Sequence, residues 1–254
     1  MHKIKNILSV SLTLAKINFR LRTENSYLGI LWYLLNPLLL FIILYFVRQS
    51  AFQGNEIEYF SLYLLIGITC YNFFKLSLTE SINSVVDNPN YIKSINKVHP
   101  HSLVIAVIIQ ALYSHLFELI LITILVFYFG INPIGLLFYI PAILLFSILT
   151  SGIGMIFATT GVFINDLKNI WIILSQILLL GTPIFYTLNT NSFLYKINLF
   201  NPLFYFIETS RSLLIYNKMP SFEIILGLIL FTCIFFVVGL TIFNKYRYKF
   251  AEYL

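Results

Sequence analysis

Charge is what this sequence has least of. Charged residues make up 10% of its 254 positions, against roughly 25% in a water-soluble domain. That deficit excludes an ordinary hydrated surface, since too few ionic groups exist to cover a core of this size. Cysteine is equally sparse. The two, Cys70 and Cys233, each sit inside an apolar run, which argues against a disulfide framework or a thiolate metal site and for small apolar filler. No glycine is followed by lysine, so the phosphate-cradling loop that ends in Gly-Lys is missing. Nor does the chain hold His-Glu-x-x-His, Gly-x-Ser-x-Gly or a cysteine–histidine metal spacing. No catalytic residue, metal ligand or cofactor of its own is therefore expected, and the chain is not expected to hydrolyse ATP by itself. The segment from Met1 to Phe19 has no compact apolar core ahead of a small-residue cleavage site, so it does not read as a removable signal.

What the sequence has in abundance is hydrocarbon. Hydrophobic residues reach 59% and the mean hydropathy is +0.88. About 20 apolar residues in a helix cross about 30 Å of lipid. Six stretches qualify, at residues 29–47, 60–78, 103–129, 134–164, 170–188 and 222–243. They are continuous runs, unlike the ten-residue alternation of a membrane barrel, so the expected fold is an all-α integral membrane bundle of six transmembrane helices. No internal repeat divides it, and 1–254 reads as one transmembrane domain.

The formal charge of +6 falls beside the apolar segments, which suggests orientation by anionic lipid rather than nucleic acid. Lys3, Lys5, Lys16, Arg20 and Arg22 precede the first segment, Lys93 and Lys97 follow the second, Lys168 follows the fourth, and Lys245, Arg247 and Lys249 follow the sixth. Six spans put all of these on one side, and both termini are expected in the cytoplasm. Arg48, Lys196, Arg211 and Lys218 fall on the other side.

Three segments are not expected to span. Residues 3–20 are amphipathic, with Ile4, Ile7, Leu8, Leu12, Ala15 and Phe19 on one arc and Lys5, Ser9, Thr13, Lys16 and Arg20 on another. They read as a helix lying along the membrane surface, or as a basic leader that only sets orientation. Residues 90–98, between Pro89 and Pro100, read as a short helix or a plain connecting turn. As a helix, they would carry Tyr91, Ile92 and Ile95 on one face and Lys93 and Lys97 on another, a form suited to docking on a partner protein. Residues 189–221 are rich in apolar side chains yet follow Pro183 and contain Pro202, so short helices dipping back into the leaflet are expected.

An ionisable group at membrane depth costs about 2.5–3.5 kcal/mol to insert. Glu118 is such a group, one turn from His115 on the third segment. Two readings stand: a proton relay of a secondary transporter, or a hydrogen-bonded packing pair. Aromatics make up 17% of the chain. Trp32, Tyr33, Tyr45, Trp171, Phe185 and Tyr186 lie on the first and fifth segments, where planar rings would offer a sugar chain weak, sliding contacts. Ser151-Gly152-Ile153-Gly154 with Ala158 and Gly161 places small residues at helical spacing, a pattern for close helix packing.

Taken in order, several stretches resemble the membrane subunits of ABC-2-type exporters of O-antigen, capsule and teichoic acid polymers. Tyr27-Leu28-Gly29-Ile30-Leu31-Trp32-Tyr33-Leu34-Leu35-Asn36-Pro37 is similar to the family's Tyr-x-Gly-x-Leu-Trp-x-x-x-Asn-Pro block. Residues 88–100, the turn Asp166-Leu167-Lys168, Pro183-Ile184-Phe185-Tyr186, Asn201-Pro202 with Glu208 and Arg211, and the tail from Arg247 follow in family order. Thr23-Glu24-Asn25-Ser26, Asn165 and His101 stand where many relatives carry basic residues.

The resemblance implies a homodimeric pore for an undecaprenyl-linked glycan in the cytoplasmic (inner) membrane. Two copies of a separate ATPase subunit, which holds ATP and Mg, would drive it. It further implies that residues 84–100 form a coupling helix that docks in the ATPase through Asn90, Tyr91, Ile92, Lys93, Ile95 and Lys97. Residues 1–22 would form an interface helix whose Arg20 and Arg22 attract a lipid phosphate. The first and fifth spans would line the channel within the bundle 29–243, and external re-entrant helices within 183–220 would narrow its exit. Export of a drug or small lipid is the nearest alternative, and a proton-coupled carrier using Glu118 and His115 a more distant one.

Overall fold

The computed structural model describes residues 2–24, 29–51, 57–93 and 99–253, with side chains throughout except at 2–5, 22–24, 30, 33 and 51. Its regular elements are all helical. They are α1 (His2–Glu24), a 3-10 turn (Gly29–Leu31), α2 (Trp32–Ala51), α3 (Phe60–Val86), α4 (Pro89–Lys93), α5 (His101–Tyr128), α6 (Ile134–Phe163), α7 (Leu167–Gly181), α8 (Phe193–Asn198), α9 (Pro202–Leu214) and α10 (Phe222–Tyr246), followed by a 3-10 turn (Arg247–Lys249) and α11 (Phe250–Tyr253).

Four helical runs, Phe60–Val86, His101–Tyr128, Ile134–Phe163 and Phe222–Tyr253, are long and apolar enough to cross a membrane, and Leu34–Ser50 and Leu167–Gly181 are shorter apolar helices. Outward faces such as Ile120, Ile124 and Phe127 on α5 and Leu137, Ile140 and Leu144 on α6 are half exposed or more. Apolar belts of this size are not left to water. The protein is a multi-pass membrane protein.

α3 is the axis of the bundle, packed by α2, α5, α6, α7 and α9. It runs past residue 78, where the apolar pattern ends, to Val86. Hydropathy marks lipid preference, whereas this last stretch faces protein: the hydroxyl of Ser81 donates to Ser77 O at 2.7 Å and that of Ser84 to Ser81 O at 2.8 Å, hiding both on buried turns. Ser84 thus belongs to α3 and not to the segment that follows it.

α6 and α10 meet more closely than side chains would allow. A β-carbon on Gly152 would lie 2.5 Å from Phe235 O, and one on Gly239 would strike the backbone of Gly152. Further along α6, Gly154 and Gly161 receive Ser81 and Ile82 of α3. The small-residue run is therefore a two-sided packing surface. α10 buries only Leu228, Thr232, Gly239 and Phe243, one stripe facing inward.

α7 stops at Gly181, short of the expected end at 188. Pro183 lacks an N–H and pushes the residue before it out of the helical region; Thr182 accordingly sits at φ −85°, ψ 141°. Residues 189–221 hold two short helices, each with a side-chain cap. Ser192 Oγ accepts from Tyr195 N at 3.1 Å, and Asn201 Oδ1 accepts from Leu203 N at 3.1 Å with Pro202 opening α9.

α1 lies against α5. Its buried residues are Ser11, Leu14 and Ala15, while Leu8, Leu12, Ile17 and Leu21 flank that contact and stay about half exposed. The apolar arc is thus wider than the sequence pattern suggested: its centre packs on protein and its two margins remain uncovered, opposite Lys16 and Arg20. A second packing cluster at this end joins Leu14 and Ala15 to Val85, Leu103, Val104, Met155, Val162, Phe243 and Phe250.

Candidate functional site: a polar cavity and two buried ionisable clusters

Three polar arrangements lie inside this apolar bundle. The first is on α5 and α6. His115 Nδ1 is 2.9 Å from Glu118 Oε2, and His115 Nε2 is 2.8 Å from the Tyr139 hydroxyl. Both His115 and Glu118 are buried, and Asn72 Nδ2 of α3 approaches Glu118 Oε1 at 3.5 Å. Every heteroatom of the imidazole has a partner. The arrangement is a hydrogen-bonded chain of Glu118, His115 and Tyr139, and Tyr139 is a member that spacing did not disclose.

The second lies at the opposite end, around the backbone that Pro183 breaks. Irregular backbone inside a bundle must find donors, and here side chains supply them. Arg211 Nη2 donates to Ile184 O at 2.9 Å, the Tyr63 hydroxyl to Tyr186 O at 3.1 Å, and Arg48 Nη1 reaches Phe185 O at 3.5 Å. Asn198 Nδ2 donates to Gly181 O at 2.9 Å and Asn201 Nδ2 to Thr182 Oγ1 at 2.8 Å. Arg211 is only 1% exposed. Its guanidinium lies 3.4 Å from the Tyr63 ring centroid and 3.0 Å from Glu208 Oε1, so the buried cation has an aromatic face and a carboxylate. Gly67 makes the room: a β-carbon there would sit 3.0 Å from Arg211 Nη2.

The third is a cavity of about 590 Å³ between α2, α3 and α5. Trp32, Asn36, Pro37 and Leu40 form one wall, Asn72, Lys75, Thr79 and Glu80 a second, and Ala111, Ser114, His115 and Glu118 the floor. Trp32, Asn36 and Lys75 are exposed, whereas the floor residues are buried. The opening is therefore at the first turns of α2, in the half of the bundle that carries α1 and α4.

The six aromatics singled out in the sequence do not gather at one place. Trp32 edges the cavity at 44% exposure. Tyr45 packs on Phe41, Phe46 and Phe60. Trp171 is 4% exposed and faces inward, its indole donating to Thr79 Oγ1 at 2.9 Å and set edge-on to Phe157. It presents no ring to the outside of the chain, because α7 leans on α3 through that residue. Phe185 and Tyr186 lie edge to face at 5.0 Å in the broken segment. The Tyr33 side chain falls outside the described residues.

In α4, Asn90, Tyr91, Ile92 and Lys93 form one turn begun by Pro89. Tyr91 is 40% exposed, and Ile92 joins the margin of the cluster holding Phe250. Ile95 and Lys97 lie outside the described residues. α11 packs against α4. Arg20 is exposed on α1; the side chain of Arg22 is outside the described set.

Comparison with known proteins agrees with this architecture. The family model for the ABC-2 type transporter matches residues 10–215. Two Klebsiella pneumoniae proteins described as O-antigen export system permease protein RfbA are 30% and 31% identical over 242 residues, covering 93% of this chain and 92% of theirs. A Myxococcus xanthus protein of the same description is 22% identical over 245 residues, covering 95% and 94%. With a family match over most of its length and relatives at this identity nearly end to end, the chain belongs to the ABC-2 type transporter family.

Proposed function

We propose that this chain is the membrane-spanning permease of an ABC exporter that moves a lipid-linked polysaccharide of the O-antigen type across the cytoplasmic membrane. ATP hydrolysis in a separate subunit drives it. The observation that carries the reading is the near end-to-end similarity to two O-antigen export permeases. On this reading the chain acts as a homodimer bound to two ATPase subunits, and ATP and Mg stay with those subunits. All six apolar helices span, α2 and α7 included, and both termini face the cytoplasm. The α4 turn, packed against α3 and α11, is the docking element. α8 and α9 are the re-entrant pieces near the exit.

The structure gives this mechanism a physical basis. α4 leaves α3 through a joint held by its own hydrogen bonds: Asp87 N to Asn83 O at 2.9 Å, Asn88 N to Val85 O at 3.2 Å and Asn88 Nδ2 to Ser84 O at 3.0 Å. A push on α4 is thereby delivered to the helix at the centre of the bundle. The decisive experiment co-expresses the chain with its ATPase subunit, with and without residues 90–100. The intact pair should co-purify and hydrolyse ATP, and the deletion should abolish both. A fully active complex lacking 90–100 contradicts the mechanism. Accumulation of undecaprenyl-linked polymer inside a deletion strain separates polysaccharide export from export of a drug or small lipid.

A further inference from the structure

We propose that α7 is a hinged flap, which swings about Gly181 and is latched against α3 by two hydrogen bonds, Trp171 to Thr79 and Tyr71 to Ser175. The flap rests on geometry within one copy of the chain. Its use in export rests on the reading of the chain as an ABC permease.

α7 is lightly held. Of its 15 residues, Trp171 and Ser175 alone are buried, and Ile170, Ile173, Ile177 and Leu180 are about half exposed or more. α6 and α10, by contrast, close backbone to backbone at Gly152 and Gly239 and cannot part without opening a void. α7 meets α3 through long side chains instead. The Trp171 indole donates to Thr79 Oγ1 at 2.9 Å, with Phe74 and Phe157 set edge-on to its ring. One turn further on, the Tyr71 hydroxyl donates to Ser175 O at 2.9 Å.

Lipid makes those two bonds decisive. Apolar surface that leaves a bundle for lipid tails gives up packing but meets no water, so polar contacts carry more of the attachment than they would in a soluble core. Each hydrogen bond is modest in net terms, and two of them can be released in one movement. Ser175 O also accepts the helical N–H four residues on, so it stays satisfied when Tyr71 lets go.

The hinge lies where the flap meets fixed backbone. The carbonyl of Gly181 accepts from Asn198 Nδ2 at 2.9 Å and from the Tyr186 hydroxyl at 3.0 Å. Beyond it Thr182, Pro183 and Ile184 are buried, with Asn201 on Thr182 Oγ1 and Arg211 on Ile184 O. A β-carbon on Gly181 would meet nothing within 4 Å, and its φ is not positive, so neither packing nor a left-handed turn requires glycine there. What glycine supplies is backbone freedom at a joint between a clamped segment and a loose helix. Thr79 lies toward the α4 end of α3, so the end that swings is the one nearest the proposed docking element.

The test uses the full chain in lipid nanodiscs and pulsed electron paramagnetic resonance between two spin labels. One label sits on native Cys233, exposed on α10, with buried Cys70 replaced by Ser. The other sits at Ile173→Cys, exposed on α7. Labelled chains are diluted in unlabelled ones, so each distance belongs to one copy. Leu144→Cys on α6, paired with Cys233, is the reference. Tyr71→Phe and Thr79→Ala each remove one latch while keeping the helices packed, and each should enlarge a second α7 distance population about two- to tenfold. Gly181→Ala, which fits without a contact, should shrink it. Adding the ATPase subunit with ATP should drive α7 to the second distance and leave the reference pair unchanged. A single α7 distance that neither latch variant alters overturns the flap, as does an equal shift of the reference pair. Latch variants that move α7 while the ATPase subunit and ATP leave it in place uphold the flap and defeat the permease reading instead.

Discussion

The guanidinium of Arg211 on α9 stacks 3.4 Å from the ring of Tyr63 on α3, and its Nη2 donates to Ile184 O at 2.9 Å. One side chain thereby joins the central helix, a short helix and the backbone that Pro183 interrupts. Replacing Arg211 by Ala strips Ile184 O of its donor and Glu208 of its cation. The expected loss of stability is about 1.5–3 kcal/mol, as for lost hydrogen bonds to a charged group. Arg211→Lys should recover only part, since an ammonium lacks the planar fork that serves both partners. Thermal unfolding in detergent and protein abundance in the membrane check both variants; wild-type stability for Arg211→Ala would refute the clamp.

Gly67 tests the same clamp from the other side. Its added β-carbon would sit 3.0 Å from Arg211 Nη2, 3.1 Å from Ile184 Cγ2 and 3.2 Å from Ile184 O. Gly67→Ala should cost about 1–3 kcal/mol by overpacking. The cost should shrink in an Arg211→Ala background, because the residue it crowds is gone. A double-mutant cycle on unfolding temperature reads the coupling.

Glu118→Gln keeps the shape and most of the hydrogen-bonding capacity at the cavity floor. Export by this variant should stay near wild type, with stability changed by less than about 1.5 kcal/mol. His115→Ala, which removes the imidazole partner of both Glu118 and Tyr139, should cost about 1–3 kcal/mol. Abolition of transport by Glu118→Gln in a well-folded protein would restore the proton-relay reading.

The C-terminal helix predicts a separable defect. Phe250 is fully buried, and α11 rests on α4. If α4 is the docking element proposed above, ending the chain after Tyr246 should leave the bundle assembled in the membrane while weakening ATPase stimulation. Co-purification with the ATPase subunit and its hydrolysis rate measure the effect; unchanged stimulation would show that α4 holds its place without the tail.

Much of this could be read from residue order. Pro89, Pro100, Pro133 and Pro202 mark helix starts, since a missing N–H costs nothing in a first turn. The glycines of α6 indicate close packing because only an absent side chain permits it. The burial of Arg211 was not legible: the carbonyls it serves lie 27 and 148 residues away, and its surroundings in sequence look like a polar loop. The cavity was hidden for the same reason, as its walls come from three separate helices. The inward burial of Trp171 was not legible either, because an aromatic on an apolar helix carries no mark of which way it faces; Thr79, its partner, stands 92 residues earlier.

α3 touches each of these features in turn. Tyr63 near its first turn holds Arg211, Asn72 and Lys75 border the cavity, and Val86 at its end passes into the stiff joint before Pro89. Its 27 residues form an unbroken rod roughly 40 Å long, with no proline or glycine kink between the cavity and α4. A rod without a hinge does not bend where it is pushed; it tips. Force applied at one tip is therefore felt at the Arg211 lock near the other tip in the same movement.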